Sequence, residues 1–377
     1  MKNDSMEQKP LFQQDKVQMI WQKGADAELI ALLNATTYGQ EGKIQYVHTQ
    51  VESKIAQIAE PYFIKVLHGQ RLIGVMGIMA RHGTSPNSSI KRLGYIRYFS
   101  LPLRFAQNGN SIKEKPTKIK ASHAVKQFVH NLFHDPQLLS GLLGCAPEEL
   151  ALYAYVEADN SRSVHMNQLF GMLQVATFNS FLFSRLSPSS SSVVSHYPPE
   201  QLEEVAPFFT TQLQKHQFFF ADNLAHGHCF VVKEQGQIVA GLMAYPTRWR
   251  IKNIPGFSGK VYQHVFPHLP YLNRIINPAN HRFLSFEGLA CLPGREIHFP
   301  SLMETALHHL GYYAGQFGID HNDALFPYFF HNKDLGLLAK VKKSIPVGIY
   351  VKTFSEESSE AIRHSKLPYY LSGFDMT

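Results

Sequence analysis

The sequence contains few cysteines and no long apolar run. Three cysteines occur in 377 residues, and no two of them form a C-x-x-C pair. We therefore expect neither a disulfide framework nor a thiolate metal site, and this composition is typical of a reducing cytoplasm. No run of about eighteen apolar residues is present, and the start M-K-N-D-S-M-E-Q-K-P lacks the apolar core of a signal peptide. We expect a cytoplasmic protein with no membrane partner.

Charged residues are also sparse, at 17% of the chain, whereas hydrophobic residues make up 44%. A chain of 377 residues with this composition can form normal hydrophobic cores and is long enough for two domains. A disordered or fibrous protein is therefore excluded. The net charge of +7 and the isoelectric point of about 9.1 favour a polyphosphate ligand, with a moderately basic soluble protein as the ordinary alternative.

Histidines are numerous, but their spacing does not predict a metal site. Twenty are spread along the chain, and no H-E-x-x-H motif occurs. His264 and His268 are four residues apart, but Pro267 and Pro270 interrupt any helix that would place both on one face. We expect no bound metal, because a site depends on geometry and not on the number of histidines.

The most informative stretch is 153–172, Y-A-Y-V-E-A-D-N-S-R-S-V-H-M-N-Q-L-F-G-M. Its first residues alternate as a buried strand does. Asp159 and Asn160 then offer N-cap side chains, a helical pattern follows, and Gly171 ends it. The stretch therefore predicts a strand followed directly by a capped helix.

This order resembles the GNAT-type N-acetyltransferases, whose fifth strand leads into a helix reading roughly N-x-x-[AS]-x-x-L-Y-x-x-x-G-F. An ordinary capped helix after a strand is the alternative. Asn167 stands where the family usually has Tyr. The residues in register with the motif are Asn160, Ser163, Met166, Gly171 and Met172.

A hairpin pattern occurs twice in the chain. Seven residues of the second copy lie 167 positions (236 − 69) beyond their counterparts in the first. An internal duplication is the simplest account, so we predict equivalent turns at Gly69-Gln70 and Gly236-Gln237. The matched pairs are Phe63/Phe230, Ile64/Val231, Gly69/Gly236, Gln70/Gln237, Leu72/Val239, Gly74/Gly241 and Met76/Met243.

Together the motif and the repeat predict an α/β protein (α+β, mixed sheet) of two tandem GNAT-like domains, each a central mixed β-sheet flanked by helices. The N-terminal domain, 1–186, is the expected cofactor-binding copy, and its residues 1–16 are predicted to be a loose polar lead. A Ser-rich linker, 187–192, leads to a degenerate C-terminal domain, 193–355, and a docking tail, 356–377. In the second copy we predict a strand at 283–291, a helix at 301–313, a strand at 324–330 and a closing strand at 347–354.

The resemblance implies acetyl-CoA, or another acyl-CoA, bound where two central strands separate, with its pyrophosphate on a loop before the third helix. The family loop [QR]-x-x-G-x-[GA] is not cleanly present in either copy. A long, lysine-bearing surface loop is the alternative in the first copy. In the second copy Ile297, Phe299 and Pro300 replace the small residues, which argues against a cofactor there. The candidate cofactor residues are Leu101, Asn108, Gly109, Asn110, Ser111, Lys113, Asn160 and Ser163.

For catalysis the resemblance implies a carboxylate base and a tyrosine that protonates the thiolate. Because Asn167 replaces that tyrosine, we expect a neighbouring tyrosine, Tyr95, Tyr98 or Tyr155, to act instead, and we take Tyr98 as the candidate. Glu157, at the end of the predicted fifth strand, is one candidate base, with a solvated strand end as its alternative. Glu287 lies in F-L-S-F-E-G-L-A-C-L, where burial would raise its pKa toward that of a base unless it faces solvent. We favour Glu157 because it shares a copy with the better cofactor motif.

The sequence therefore favours an acyl-CoA-dependent N-acyltransferase that moves an acetyl group to a primary amine on a small molecule or peptide. The alternatives are a GNAT-fold protein that binds a ligand or partner without catalysis, and a tandem aminoacyl- or acyltransferase acting on a peptide or cell-wall precursor. We expect no nucleic-acid partner, because the lysines do not interleave with stacking aromatics. The acceptor and the oligomeric state stay open.

Overall fold

A computed structural model describes residues 7–39, 42–100, 123–332, 334–341 and 344–376. Its strands join into one mixed sheet. The strands are β1 Gln8–Gln14, β2 Val17–Lys23, β3 Gln45–His48, β4 Glu60–His68, β5 Arg71–His82, β6 Arg92–Ser100, β7 Leu150–Glu157, β8 Leu173–Ser184, β9 Val194–Tyr197, β10 His228–Glu234, β11 Gln237–Asn253, β12 His281–Cys291, β13 Ala314–Asp320 and β14 Ile345–Thr353.

Helices flank this sheet on both faces. They are α1 Ala27–Ala35, α2 Val51–Ala56, α3 His123–His134, α4 Pro136–Leu143, α5 Ser161–Leu169, α6 Ala206–Leu213, α7 Gly256–His264, α8 Leu272–Ile275, α9 Phe299–Leu310, α10 Phe326–His331, α11 Leu337–Val341 and α12 Glu356–His364. Within the described ranges, no helix is both long enough and apolar enough to cross a membrane.

The two halves of the chain exchange strands. The sheet order is β1-β2-β4-β5-β6-β7-β14-β8-β13-β12-β11-β10-β9, and β3 pairs with the outer end of β11. The last strand of the first half, β8, thus pairs with β13, and the last strand of the second half, β14, pairs with β7. Neither half can leave the other without breaking a ladder of backbone hydrogen bonds.

Apart from β1 and β3 in the first half and α7 and α8 in the second, both halves have the same element order. It is a strand, helical segments, a hairpin with a third strand, one or two helices, a strand, one or two helices and a closing strand. The third strand runs parallel to the strand after it in each half, β6 with β7 and β12 with β13. The predicted mixed α/β architecture is therefore confirmed.

Both predicted hairpins are present, but their offset is 166 (235 − 69) and not 167, because the turns fall at Gly69–Gln70 and Gln235–Gly236. The predicted equivalence of Gly69-Gln70 with Gly236-Gln237 is wrong by one residue. In the first turn φ is positive only at Gly69, as in a type II′ turn; in the second it is positive at both central residues, as type I′ requires. The two glycines therefore occupy different turn positions.

A shift of one residue matters because successive side chains of a strand point to opposite faces. Phe63 packs in the core between the halves, and so does Cys229, its counterpart at an offset of 166. Ile64 packs instead beneath α3 and α4, and its counterpart Phe230 packs beneath α9. The offset of 167 would have matched residues that lie on opposite faces.

Three further segments differ from the predicted elements. Residues 8–14, expected to be part of a loose lead, form edge strand β1, because Leu11 and Phe12 pack on the core beneath α3. The sequence of 48–60, followed by Pro61, also predicts a helix, but this region holds only the short helix α2. Residues 326–331 form helix α10, and the strand predicted at 324–330 lies earlier, as β13.

The sequence pattern does not predict strand β13, because its sequence, A-G-Q-F-G-I-D, is poor in β-branched residues. Close packing requires glycine in this strand, because a Cβ at Gly315 would lie 2.3 Å from the Phe286 ring. Tertiary contact and not local propensity makes this segment a strand.

The tail after α12 packs deeply against the body. Tyr369, Tyr370, Leu371 and Phe374 are buried in the core between the halves. The Ser-rich segment is also held in place: Ser189 donates to Glu304 of α9, and the backbone N–H of Ser191 donates to Thr305.

Candidate functional site

Each half contains a parallel strand pair that separates partway along. The last pair between β6 and β7 is Tyr95 with Tyr153, and that between β12 and β13 is Ser285 with Gln316. All four strands continue beyond these pairs. Backbone groups on the facing edges then lack ladder partners and need a ligand, water or another part of the chain.

Just beyond the point of separation, the third strand of each half carries a bulge. In β6, Tyr98 and Phe99 stand opposite a single residue of β5, and in β12, Gly288 and Leu289 stand opposite a single residue of β11. The first bulge residue has a positive φ in both, +53° at Tyr98 and +61° at Gly288. Bulges are frequent next to active sites because they re-aim backbone and side-chain groups.

Tyr98 has a positive φ although it is not a glycine. A bulky residue at positive φ is unusual, and such strain costs on the order of 1 kcal/mol or more. It persists only where the surrounding structure holds it, and such sites cluster at functional positions. The first-half bulge therefore marks the first cleft as a candidate site.

One face of the first cleft is lined by alternate residues of two strands. Tyr95 and Arg97 of β6 and Tyr153, Tyr155 and Glu157 of β7 share the face directed at the core between the halves. The Tyr95 ring lies 5.0 Å from that of Tyr153 and 5.2 Å from that of Tyr155. Glu157 is exposed at the rim, so its carboxylate borders an aromatic surface.

A second aromatic group comes from the pairing of β3 with β11. Tyr46 stacks on Trp249 at 4.0 Å, and His48 contacts the Tyr38 and Tyr98 rings edge-on at 4.6 and 6.3 Å. Desolvation, and then the Glu157 charge, raises the pKa of Tyr46 to about 12, which ties Glu157 to this group.

Several polar atoms in these aromatic groups are buried without a partner. The hydroxyls of Tyr38 and Tyr153 and the indole N–H of Trp249 make no hydrogen bond to any described residue. Since buried polar groups nearly always find a partner, these atoms are positioned for water or ligand.

Two buried cations that the sequence does not predict as site residues lie beside these aromatic groups. Buried Arg97 lies 4.5 Å over the Tyr98 ring, and buried Lys54 donates to Thr247 at 3.4 Å. Desolvation, and then Arg97, holds the pKa of Lys54 well below its usual value, and the pKa of His48 is lowered in the same way. Arg97, in the apolar strand Y-I-R-Y-F, carries the same signal that singled out Glu287; no local signal marks Lys54 or His48.

The second cleft is occupied by the chain's own tail. Tyr369, Tyr370 and Leu371 line it together with Glu287 and Asp320, leaving a cavity of about 30 Å³. That volume suits one or two waters and not a cofactor arm. The tail therefore occupies the cleft of the half whose loop departs from the family pattern.

Glu287 anchors this tail. Its carboxylate accepts from the Tyr370 hydroxyl at 2.6 Å, the Phe374 N–H at 3.0 Å, the Ser372 hydroxyl at 3.1 Å and Asn223 at 3.2 Å. Burial raises the pKa of Glu287, while the bonds from Phe374 and Tyr370 lower it. The side chain is buried, and both carboxylate oxygens accept hydrogen bonds from within the chain.

Asp320 should make stability depend on pH. Burial raises its pKa from 3.8 to about 6, against bonds from the Asn322 and Tyr369 N–H groups. Because the folded pKa lies above the unfolded one, the stabilisation is present below about pH 4 and lost as the pH rises through about 6. Relative to Asp320→Asn, which cannot titrate, the wild type should lose about 2 kcal/mol of unfolding free energy between about pH 4.5 and 7.5. Urea unfolding of both proteins measures this, and a difference that is constant with pH would contradict it.

The remaining predicted site residues fall in two places. Asn160 is the N-cap of α5, and its side chain accepts from the Ser163 N–H at 3.0 Å. Asn167, in the position of the family tyrosine, donates to the Ser163 carbonyl within the same helix. The predicted anion-loop residues lie outside the described part of the chain: Leu101, Asn108, Gly109, Asn110, Ser111 and Lys113.

Compared by sequence, the chain matches no family model and no curated protein. Among solved structures it resembles Saccharomyces cerevisiae N-myristoyltransferase with bound myristoyl-CoA, at a TM-score of 0.55 and 8% identity over 94% of this chain and 83% of that one. The chain shares the fold of this N-myristoyltransferase. At this identity the likeness concerns the fold alone.

Two other structures match less well. A GCN5-related N-acetyltransferase from Sphaerobacter thermophilus has a TM-score of 0.41 at 10% identity, over 78% of this chain and 80% of that one. A conserved protein of unknown function from Enterococcus faecalis, described as a probable N-acyltransferase, has a TM-score of 0.40 at 7% identity, over 90% of this chain and 73% of that one.

Proposed function

We propose that the protein is an acyl-CoA-dependent N-acyltransferase whose site is the first cleft. The observation that carries the proposal is the contrast between the clefts. Both have the separating parallel strands and the bulge, and residues 369–371 of the tail line the second. In the described part of the chain the tail meets the first pair, β6 and β7, at Arg97, which donates to the Phe374 carbonyl at 3.5 Å. The first retains the strained Tyr98, the unpartnered aromatic hydroxyls and the capped helix α5.

In this proposal Glu157 is the general base and Tyr98 the acid. Glu157 shares its strand face with Tyr153 and Tyr155, where an amine approaching from the aromatic side would meet a thioester held between β6 and β7. The base removes a proton from the amine, the amine attacks the thioester carbonyl, and the departing thiolate takes a proton. Desolvation raises the pKa of Tyr98, which keeps its phenol protonated and able to donate.

For the acyl group we propose acetyl, as the resemblance of the 153–172 motif implies, and for the acceptor a primary amine on a small molecule or peptide. Longer chains are the second candidate, because the N-myristoyltransferase, which has the highest TM-score of the three structures, was solved with bound myristoyl-CoA. A series of acyl-CoA esters from acetyl to myristoyl separates the two.

Acyl-CoA should stabilise the protein. A ligand present at about 100 times its Kd and bound only by the folded state adds about 2.7 kcal/mol, or a few degrees in Tm. We expect this rise with the preferred ester in a thermal-shift assay. The double variant Lys113→Glu, Lys115→Glu should lose it in a salt-dependent way if these lysines meet the phosphates.

The matched control reverses two lysines far along the chain, Lys233→Glu and Lys260→Glu, and should leave the shift unchanged. No shift with any ester at millimolar concentration would overturn the proposal. A shift without turnover of any amine would favour the alternative of a GNAT-fold protein that binds but does not catalyse.

A further inference from the structure

The second half contains a long stretch without acidic residues. Between Glu234 and Glu287 the sequence has no Asp or Glu. All the Lys and Arg side chains in this stretch are exposed, and no acidic side chain in the described ranges pairs with them. These cations are Arg248, Arg250, Lys252, Lys260, Arg274 and Arg282.

Three of these cations share one face of the sheet. Arg248 and Arg250 alternate along β11 and therefore point the same way, and Lys252 is exposed just beyond them, at the bulge where β11 shifts register with β3. Arg248 also stands directly opposite Arg282 of β12. Like charges in opposed positions destabilise a sheet. This arrangement therefore lowers stability, and a bound anionic partner would offset the loss.

The charged face continues onto the insertion between β11 and β12. Arg282 lies 4.7 Å over the Tyr312 ring, and Arg274 of α8 lies 5.4 Å over the adjacent Tyr313. Arg274 also lies 5.6 Å over Tyr271. We call Arg248, Arg250, Lys252, Arg274 and Arg282 the basic face.

Large apolar side chains protrude beside it. Tyr271 is 65% exposed, Val265 47% and Leu269 41%. Large exposed apolar side chains rimmed by charge are typical of an interaction surface. We call these three residues the apolar tip.

We infer that the basic face and the apolar tip bind an anionic membrane surface. Cations attract acidic headgroups, while aliphatic and tyrosine side chains enter the boundary between headgroups and acyl chains. Val265 and Leu269 favour lipid over nucleic acid, because base stacking uses aromatic rings and leaves aliphatic groups without a role. The expected absence of a membrane partner rested on spanning segments, which this mode does not need.

The test is flotation of the full chain with vesicles of phosphatidylcholine, alone or with about 30% phosphatidylserine. We expect binding only to the acidic vesicles, weakening as salt rises from about 0.02 to 0.15 M. Each Lys or Arg near such a surface contributes about fivefold to partitioning. Arg248→Gln, Arg250→Gln, Lys252→Gln should therefore weaken it on the order of a hundredfold, and Leu269→Ser, Tyr271→Ser about tenfold.

A matched control removes three exposed cations at the opposite end of the sheet, Lys9→Gln, Lys16→Gln and Arg71→Gln. It should change partitioning less than twofold. Equal loss in both triple variants would mean that net charge alone acts, and would overturn the inference. So would equal binding to neutral vesicles, no binding to either, or binding to a DNA duplex in place of vesicles. The salt titration uses the wild type and so does not depend on the folding of any variant. Acyl transfer to a soluble amine is measured separately, so that failure of membrane binding is distinguished from failure of the proposed function.

Discussion

Replacing Glu157 with Gln is expected to slow acyl transfer by about a hundred- to ten-thousandfold, the usual contribution of a general base. The change keeps the shape of the side chain but cannot accept the amine proton. Because Glu157 is exposed at the rim of the cleft, folding and the thermal shift with acyl-CoA should persist. Thiol release from the preferred ester, measured against a panel of primary amines, gives kcat.

Two other glutamates serve as controls. Glu203→Gln, at an exposed position of the second half, should leave both turnover and stability unchanged. Glu287→Gln should lower stability by roughly 1–3 kcal/mol, because it disturbs a buried acceptor network, and leave turnover of the folded fraction intact. Normal turnover in Glu157→Gln would remove it as the base, and a rate loss confined to Glu287→Gln would assign that role to Glu287.

Replacing Arg81 with Leu is expected to cost about 3–5 kcal/mol of unfolding free energy, because it leaves a buried carboxylate without its partner. Arg81 of β5 donates through both terminal nitrogens to Asp375 of the tail, and both side chains are almost fully buried. The Arg81 guanidinium also lies 4.3 Å over the Phe220 ring. Since Glu287 holds the same tail to the second half, this pair helps to join the halves.

Urea unfolding of a double-mutant cycle measures the effect. Arg81→Leu with Asp375→Leu should cost much less than the sum of the single changes, because no buried charge is left alone. The exposed pair Lys91–Glu149 is the matched control: Lys91→Gln should cost less than about 1 kcal/mol. Additive single costs, or a loss below about 1 kcal/mol for Arg81→Leu, would show that the pair does not hold the tail.

The sequence alone determined those features that depend on local chemistry. The strand and the Asn160-capped helix of 153–172 follow from alternation, an N-cap side chain and a stop at Gly171, all within one short stretch. Both hairpins and the closing strand β14 are equally local. Their order along the chain was enough to predict the mixed α/β architecture.

The tertiary structure decided which strands become neighbours. The exchange of β8 and β14, the offset of 166 and the insertion of the tail into the second cleft are contacts between residues far apart in sequence. Periodicity gives a strand two faces but not its partner or register. Because the turn glycine occupies different positions in the two hairpins, aligning the glycines misaligns the copies by one residue. For the same reason Glu287 can be recognised in the sequence as an unusual carboxylate, but only the packed tail around it shows what its charge contacts.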